Sequence, residues 1–436
     1  MTVTTIEKLS QHVGQVVTLQ GWVYDRTSKG KLHFVLLRDG SGIVQCVVFR
    51  GNVGEDFFNQ VAGAGQESSI TLTGLVKAEP RAPGGFEIDV QSGRVLQAVQ
   101  GYPITPKEHG IEYLMEHRHL WLRSKRPWAV MRIRHAVIMG IRNFFDERGF
   151  TCMDAPIFTP NACEGTSTLF EVPYFEQMAY LTQSGQLYAE AAAMALGKVY
   201  TFGPTFRAEK SKTRRHLTEF WMIEPEMAYA TLDDVMSLAE DMLSYVVAHV
   251  LKTRRAELAV LERDVAKLEK IVPPFPRLTY EEASRILLDS PEIKGTDLAF
   301  QPGEDFGAPH ETIISNLFDR PVMVHRYPAA IKAFYMKRDP LDPTKCLSVD
   351  VLGSEGVGEI IGGSQREDEL QLLLDRIEHE KLPQEAFQWY LDLRRYGSVP
   401  HGGFGLGLER TVAWICGIEH VREAIPFPRT IYRLTP

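Results

Sequence analysis

The sequence changes character near residue 100, and this change limits the folds that the chain can adopt. Before that point, short runs rich in β-branched residues recur at 17–23, 32–37, 43–48 and 70–76. The turn-forming segments between them are Ser28-Lys29-Gly30, Asp39-Gly40-Ser41-Gly42 and the stretch 80–85. Short strands at this spacing are typical of a small β-barrel. The pattern predicts an antiparallel barrel of about five strands over residues 1–100.

The segment after the barrel has a different pattern. Residues 101–127 carry the basic run Arg123-Ser124-Lys125-Arg126 and are predicted to form a hinge. From Val130 to Arg148 the apolar residues have helical spacing, and Gly149 follows at a position suited to a helix C-cap.

The remaining sequence contains both strand-like and helical runs. Strands are predicted at 199–202, 220–223 and 322–325, and helices at 232–268 and 370–396. The regular strand–helix alternation of a doubly wound fold is missing. Residues 128–436 are therefore predicted to form one α+β domain, with an antiparallel sheet flanked by helices.

Composition excludes several classes of protein. The 436 residues are 44% hydrophobic and 24% charged, as in a globular protein of two or more domains. The five cysteines have no paired C-x-x-C spacing, so neither a disulfide framework nor a zinc knuckle is expected. No apolar run approaches the ~18 residues of a membrane helix, and the N-terminus lacks a signal-peptide core. A cytoplasmic location without membrane attachment is the expectation, and the net charge of −8 still permits a local basic groove for RNA.

Two arginines in distinctive contexts point to bound phosphate. Arg207 lies in Thr205-Phe206-Arg207-Ala208-Glu209, and Arg410 closes the glycine-rich run that begins at Gly403. A guanidinium is always charged and binds phosphate oxygens bidentately. Neither G-x-G-x-x-G nor G-x-x-x-x-G-K-[ST] occurs, which disfavours a Rossmann or P-loop site. The alternative is that Arg207 and Arg410 form structural ion pairs with Glu209 and Glu409.

Three segments, in order, resemble the signature motifs of class II aminoacyl-tRNA synthetases. They are Ile141–Pro156, Arg207-Ala208-Glu209 and the run that ends at Arg410. The barrel, together with Gln183–Tyr188 and Gly362-Gly363-Ser364-Gln365-Arg366, narrows the resemblance to the aspartyl/asparaginyl branch, and within it to the asparaginyl enzymes. The resemblance covers nearly the whole chain. It implies an N-terminal OB-fold that binds the anticodon, a class II catalytic domain, and a homodimer formed through motif 1.

The resemblance also implies a reaction. Such enzymes use ATP to activate asparagine as an aminoacyl adenylate, release pyrophosphate, and transfer the acyl group to the 3′ end of tRNA(Asn). Arg207 is expected on the α-phosphate and Arg410 on the γ-phosphate, with Glu359 as the third catalytic residue. Glu209, His216 and Phe220 complete the ATP site, in which Phe220 and Arg410 enclose adenine. Glu359 and Asp350 are the expected Mg²⁺ ligands, and Glu355 is the alternative to Asp350.

The amino-acid site must distinguish an amide from a carboxylate. By resemblance, Arg366 holds the side-chain oxygen and Glu224 accepts hydrogen bonds from the amide or the α-amino group. Ala189 stands where aspartyl enzymes have a lysine, which favours the neutral amide. The other predicted pocket residues are Ser184, Gln186 and Glu164, the last in a lid-like loop at 164–168.

The tRNA site is predicted on two surfaces. On the barrel, Phe34 is the candidate stacking platform and Gln45 the reader of the central anticodon uracil, with Arg26, Lys29 and Lys31 on phosphates. In the loop 210–216, Lys212 and Arg214 are expected to contact the acceptor end. The alternatives are that Phe34 belongs to the barrel core and that the loop is simply a solvated basic segment.

Three other functions remain open from sequence. The chain could be an aspartyl enzyme, including one that charges both tRNAs, although the missing lysine at Ala189 counts against this. It could be an asparagine synthetase of the same catalytic fold, which would not need Phe34 and Gln45. An RNA-binding protein with an inactive catalytic domain is the last alternative, and the intact Arg207, Arg410 and Glu359 argue against it.

Overall fold

The computed structural model describes residues 2–163, 169–293 and 298–436. The chain forms two compact units, one ending at Leu114 and the other spanning Met115–Pro436. The boundary between the units falls inside the segment 101–127 that was predicted as a hinge. That segment contains two short helices, Ile111–Glu116 and Arg118–Trp121.

The N-terminal unit is a closed barrel. Its strands are β1 (Thr2–Val3), β2 (Val16–Lys29), β3 (Leu32–Arg38), β4 (Ile43–Phe49), β5 (Ser69–Ala78) and β6 (Phe86–Gln97). Its helices are α1 (Arg50–Val53), α2 (Glu55–Gly63) and α3 (Ile111–Glu116), the last of which crosses the boundary. The sheet order is β1-β2-β3-β4-β6-β5, and β2 also pairs with β5 to close the barrel.

The predicted five-stranded barrel is confirmed, but the prediction that it is antiparallel is wrong in two places, the first being the short strand β1, which pairs with β2 in parallel. Strand β4 pairs with β6 in parallel. The chain passes through α1, α2 and β5 between these two strands, which provides the crossover that parallel pairing requires. Alternate residues of β3 and β4, among them Val35, Leu37, Val44 and Cys46, point into the buried core.

The second unit contains the remaining elements. Its strands are β7 (Thr151–Met153), β8 (Phe158–Thr159), β9 (Glu171–Tyr174), β10 (Gln177–Leu181), β11 (Lys198–Phe206), β12 (Glu219–Ala228), β13 (Arg277–Thr279), β14 (Val322–His325), β15 (Arg338–Asp339), β16 (Asp342–Cys346), β17 (Ser348–Gly353), β18 (Gly358–Gln365) and β19 (His401–Gly407). Its helices are α4 (Arg118–Trp121), α5 (Lys125–Asp146), α6 (Gln186–Leu196), α7 (Leu232–Thr253), α8 (Arg255–Val260), α9 (Val265–Glu269), α10 (Tyr280–Asp289), α11 (Ala308–Ser315), α12 (Leu370–His379), α13 (Gln388–Arg395) and α14 (Leu408–Cys416).

A sheet of eight strands organises this unit. Its order is β13-β14-β17-β18-β19-β12-β11-β7. The six central strands are antiparallel, whereas β13 and β7 pair in parallel at the two edges. The predicted α+β domain with an antiparallel sheet is therefore confirmed for the interior of the sheet.

Helices α5 and α7 cover one face of the sheet. Both have an apolar stripe that is fully buried, including Val137, Phe144 and Phe145 on α5. The Phe145 ring stacks on Tyr200 of β11, with centroids 4.7 Å apart. Burial of each such side chain contributes roughly 1.5–3 kcal/mol. This packing fixes the central strands on which the site is built.

Two long predicted helices are interrupted. The segment 232–268 forms α7, α8 and most of α9, because Arg254 leaves the helical region with φ −136°. The segment 370–396 forms α12 and α13, separated by a break that contains Pro383. Proline lacks the N–H that a continuous helix needs, so the apolar periodicity overstated the length of this helix.

Within the described ranges, every helix is too short or too polar to cross a membrane.

The close packing of β19 on β12 leads to a stability prediction. A Cβ added at Gly403 would overlap the Pro225 carbonyl oxygen and lie 2.5 Å from Glu226 Cδ. We expect Gly403→Ala to destabilise the second unit by about 1–3 kcal/mol or more, because the paired strand cannot move away. Thermal unfolding followed by circular dichroism measures this. Gly203→Ala on β11 is the control, since its Cβ would meet nothing within 4 Å; equal losses in both variants would contradict the argument.

Candidate active site

The antiparallel register brings distant parts of the sequence to one place. Arg207 directly follows β11, and both Phe220 and Glu224 lie on β12. Glu359 lies on β18, and Arg410 lies in the first turn of α14, which follows β19. One cavity is lined by Arg207, His216, Phe220, Glu359 and Arg410. A second cavity is lined by Ser184, Gln186, Glu224, Asp350 and Arg366.

The two cavities adjoin. Arg207, Met222, Glu359 and Gly405 line both of them. Arg207 and Glu359 therefore face both compartments, and a molecule in either one can reach these two side chains. Of the predicted ATP residues, all but Glu209 line the first cavity. The predicted amino-acid residues that line the second cavity are Ser184, Gln186, Glu224 and Arg366.

The first cavity has an aromatic wall and a cationic end. The Arg207 guanidinium lies 5.5 Å from the centroid of the Phe220 ring. Arg410 Nη1 donates to the Glu359 carbonyl at 2.9 Å and lies 3.6 Å from its carboxylate. A ring and two guanidinium groups around one cavity can hold a flat base together with phosphate.

Of the two ion pairs that the sequence left open, the one between Arg410 and Glu409 is not formed among the described residues. Glu409 is buried, pairs with Arg134 at 2.7 Å, and accepts from the Trp221 N–H at 3.0 Å. Glu209 lies 3.6 Å from His216 Nε2. Within the described residues, then, Glu409 pairs with Arg134 and not with Arg410, and Arg410 points its guanidinium along the cavity instead.

His216 and Arg215 differ in their electrostatic environment. Burial, reinforced by Arg410, lowers the pKa of His216, which favours the neutral ring. Arg215 lines the same cavity and donates to Thr312 Oγ1 at 2.7 Å and to the Gly356 carbonyl at 2.6 Å. It also pairs with Glu311 at 3.3 Å, which ties the loop 207–216 to α11.

The predicted metal ligands lie close to each other. Gly362 pairs with Asp350 across the sheet, and a Cβ built on it would be 2.7 Å from Glu359 Oε1 and 3.7 Å from Asp350 Oδ1. Asp350 also accepts from Lys332 Nζ at 2.7 Å. Two converging carboxylates beside a phosphate-sized cavity fit the needs of Mg²⁺, which prefers few protein ligands and substrate phosphates.

Glu355, the alternative ligand, has a different role. It pairs with Lys267 at 2.8 Å and also with Arg263, and it lines a separate cavity. Its carboxylate is fully used by these two cations, so the geometry favours Asp350 with Glu359.

In the second cavity, Glu224 is fixed by its neighbours. Its carboxylate accepts from Ser184 Oγ, from the Gly185 N–H at 2.7 Å and from Thr201 Oγ1 at 3.1 Å. Gln186 does more than bond the backbone, because its side-chain N–H donates to Glu190 Oε1 at 3.0 Å. These bonds orient both side chains before a ligand arrives.

Arg366 is held just as firmly. Its Nε lies 3.2 Å from Glu226 Oε1, a second nitrogen also bonds Glu226, and Nη1 donates to Ser364 Oγ at 2.9 Å. These contacts use three of the five N–H donors of a guanidinium. Arg366 is only 2% exposed, yet it is among the residues that line the cavity.

Sequence reasoning missed three residues here. Glu226 is two positions beyond Glu224 on the same face of β12, and Glu190 is one helical turn after Gln186; strand and helix periodicity could have found both. Lys332 lies between Asp350 and Asp305, at 2.7 Å and 3.7 Å, directly after a 3₁₀ turn that has no recognisable sequence pattern.

Ala189 and Glu164 are not among the described residues of the second cavity. Ala189 is fully buried with Ala193 and Val199 and does not line the cavity among the described residues. Apolar packing thus fills the place where aspartyl enzymes have a lysine. Glu164 and the rest of the predicted lid, 164–168, lie outside the described residues.

The barrel presents its predicted tRNA residues on different sides. Phe34 is half-buried on the outer face of β3, and the barrel core as described contains Val35 and Leu37 but not Phe34. Leu36 of that outer face lies opposite Gln45, whose amide donates to Glu87 at 2.7 Å. Phe34 and Gln45 therefore share a surface.

The predicted cations of the barrel do not all share it. Lys29 and Lys31 are exposed in the β2–β3 turn. Arg26 lies opposite Val35 and so faces the other side of the sheet from Phe34. In the second unit, Lys212 and Arg214 are exposed; Arg214 pairs with Glu419 at 2.7 Å, and Lys212 lies 5.5 Å from the Tyr432 ring.

Comparison with known proteins gives one consistent result. Residues 110–431 match the class II tRNA synthetases (D, K and N), and residues 17–96 match the OB-fold nucleic acid binding domain. The asparagine–tRNA ligase of Sorangium cellulosum is 60% identical over 435 residues, covering 98% of each chain. That of Koribacter versatilis is 57% identical and covers 100% of this chain and 99% of its own.

A solved structure agrees with these relatives. The crystal structure of asparaginyl-tRNA synthetase from Pyrococcus horikoshii complexed with asparaginyl-adenylate has a TM-score of 0.95, 46% sequence identity and coverage of 99% of both chains. The order of the motifs, the two adjoining cavities and these matches lead to one conclusion: this chain belongs to the class II tRNA synthetases of the aspartate, lysine and asparagine group.

Proposed function

We propose that this protein is an asparagine–tRNA ligase. It activates asparagine with ATP, forms an asparaginyl adenylate and pyrophosphate, and transfers the acyl group to the 3′ end of tRNA(Asn). The observation that carries the proposal is that Arg207 lies where a base-and-phosphate cavity meets a pocket closed by Arg366 and Glu224. The α-phosphate and the substrate carboxylate would meet at this junction.

Activation requires positioning and charge stabilisation. The asparagine α-carboxylate is ionised at neutral pH, so it attacks the α-phosphate without a general base. Negative charge grows on the phosphate oxygens as the bond to pyrophosphate breaks. Arg207 stabilises this charge, while Arg410 holds the departing phosphates. Both arginines are in place before ATP binds.

Mg²⁺ would be held by Glu359 and Asp350 together with the ATP phosphates. When bound there, the ion would supply additional positive charge to the ATP phosphates. Lys332 already donates to Asp350, so Glu359, which is 37% exposed and contacts Arg410, is the more accessible of the two carboxylates.

Selectivity for asparagine follows from charge. Arg366 is already neutralised by Glu226, and its free donors suit an amide oxygen. Glu224 beside it accepts from an amide N–H and repels a carboxylate. With Ala189 in place of a cation, an aspartate side chain would lack a counter-charge, which disfavours the aspartyl alternative.

The tRNA would contact both units. The outer barrel face with Phe34 and Gln45 binds the anticodon, with Lys29 and Lys31 on phosphates, whereas Lys212 and Arg214 reach the acceptor end. Arg26 is retained as a phosphate contact at the end of the barrel. The protein acts in the cytoplasm as a homodimer, in which the exposed surface of α5 pairs with a second copy.

ATP–pyrophosphate exchange tests the proposed function. With purified protein and Mg²⁺, asparagine as the sole amino acid should support exchange and aspartate should not, because only the amide satisfies both Arg366 and Glu224. Charging of tRNA(Asn) completes the test. Exchange with aspartate alone would overturn the proposal.

Removal of either phosphate-binding arginine should abolish activation. We expect Arg207→Ala and Arg410→Ala each to lower the exchange rate by about 10²–10³-fold or more, the usual cost of one electrostatic group in a transition state. Circular dichroism should show an unchanged fold. Arg255→Ala is the matched control, since Arg255 forms an exposed ion pair with Glu269. Wild-type exchange in Arg207→Ala or Arg410→Ala would refute the assigned roles.

Removal of the Phe34 ring should weaken tRNA charging without affecting amino-acid activation. Phe34→Ala should lower kcat/KM for tRNA charging by roughly tenfold, since stacking of one base contributes about 1–3 kcal/mol. Exchange without tRNA should stay unchanged, because Phe34 belongs to the barrel unit. Leu96→Ala, at an exposed barrel position, is the surface control. A parallel loss of exchange in Phe34→Ala would mean that the aromatic ring only supports the fold.

A further inference from the structure

A fully buried carboxylate, Glu190, lies behind the amino-acid pocket and is not used by the mechanism above. It accepts from the Tyr390 hydroxyl at 2.8 Å, from Arg394 Nη2 at 2.8 Å and from Gln186 Nε2 at 3.0 Å. His401 Nε2 is 2.9 Å away. The side chains of Glu190 and Arg394 have no exposed surface.

These partners keep Glu190 ionised. Burial alone would raise its pKa, but Arg394 and His401 hold the pKa of Glu190 well below its usual range. His401 Nδ1 lies 2.8 Å from the Val399 carbonyl, and its Nε2 faces Glu190. The surroundings of Glu190 thus favour its ionised form within the protein interior.

Glu190 is connected to the pocket by a hydrogen bond from Gln186 and by a charge interaction with Arg366. Gln186 lines the cavity and bonds Glu190 directly. Arg366 lines the same cavity, is bonded to Glu226, and interacts electrostatically with Glu190 as well. Glu190, Arg394 and His401 are all absent from the described residues that line this cavity. Glu190 therefore acts on the pocket through its bond to Gln186 and through its charge interaction with Arg366.

We propose that Glu190 is a specificity-determining residue whose buried negative charge beside Arg366 disfavours an amino acid with a side-chain carboxylate. This inference rests on the proposed function. A ligand carboxylate at Arg366 would be a third anion near one guanidinium in a region of low dielectric, where charge interactions are strong. A neutral amide suffers no such repulsion. Glu190 acts at a distance, through the field at Arg366, and does not need to touch the ligand.

The test is the ratio of kcat/KM for asparagine to that for aspartate in pyrophosphate exchange. Glu190→Gln preserves size and removes the charge, and we expect this ratio to fall about tenfold or more, mainly through a lower KM for aspartate. Tyr390→Phe is the matched control, because it removes a hydrogen bond to the same carboxylate without changing charge. Its ratio should stay within about twofold of wild type. A purely structural role would lower both activities together and leave the ratio unchanged, which would overturn the inference.

A second variant should change the ratio of kcat/KM for asparagine to that for aspartate in the opposite direction. Arg394→Gln removes a cation that compensates Glu190, so discrimination against aspartate should increase. If Glu190→Gln does not fold, Arg394→Gln tests the inference by itself. An unchanged or smaller ratio in Arg394→Gln would overturn the inference. Wild-type protein that activates neither amino acid would overturn the proposed function itself, an outcome distinct from an unchanged ratio in the variants.

Discussion

The buried ion pair between Arg366 and Glu226 is the interaction on which the active site depends. Two ions removed from water cost several kcal/mol each, and their attraction offsets this only in near-ideal geometry with additional hydrogen bonds. Here the geometry is supplied by three adjacent strands, since Glu226 lies on β12, Arg366 directly follows β18, and β19 pairs with both strands. A shift of one residue in either pairing would turn the side chain to the other face and leave an unpaired charge in the interior.

That dependence explains the close packing around the pair. Glycines on β19 let it approach β12, and a Cβ at Gly403 would meet the backbone of Pro225 and the side chain of Glu226. The apolar layer formed by α5 and α7 holds the same strands from one side. Stability and selectivity therefore have a common origin: the packing that fixes the sheet also fixes a guanidinium with donors left for an amide oxygen.

The charged side chains of the first cavity are less tightly constrained than the Arg366–Glu226 pair. Arg207, Arg410 and Glu359 are partly exposed and line a cavity instead of being locked in buried pairs. The loop that carries Arg215 is tied to α11 by polar contacts with Glu311 and Thr312. Under the proposed function, a rigid amino-acid pocket would suit discrimination between similar molecules, whereas partly exposed, hydrated cations would suit a mobile polyanion.

Sequence alone predicted the fold class and, through the family resemblance, the reaction. It also predicted a domain boundary near residue 100 and two arginines expected to bind phosphate. The last two predictions depend on local signals: alternation in the barrel strands, glycine-rich context, and guanidinium chemistry at Arg207 and Arg410. It overstated the helix at 232–268 because apolar periodicity continues across the break at Arg254. Only the tertiary structure decided which charges are partners. Glu226 and Arg366 are 140 positions apart, and Glu190 and His401 are 211 apart. Pairing at such separation is set by strand register and helix packing, which bring side chains together in space without leaving a pattern along the chain.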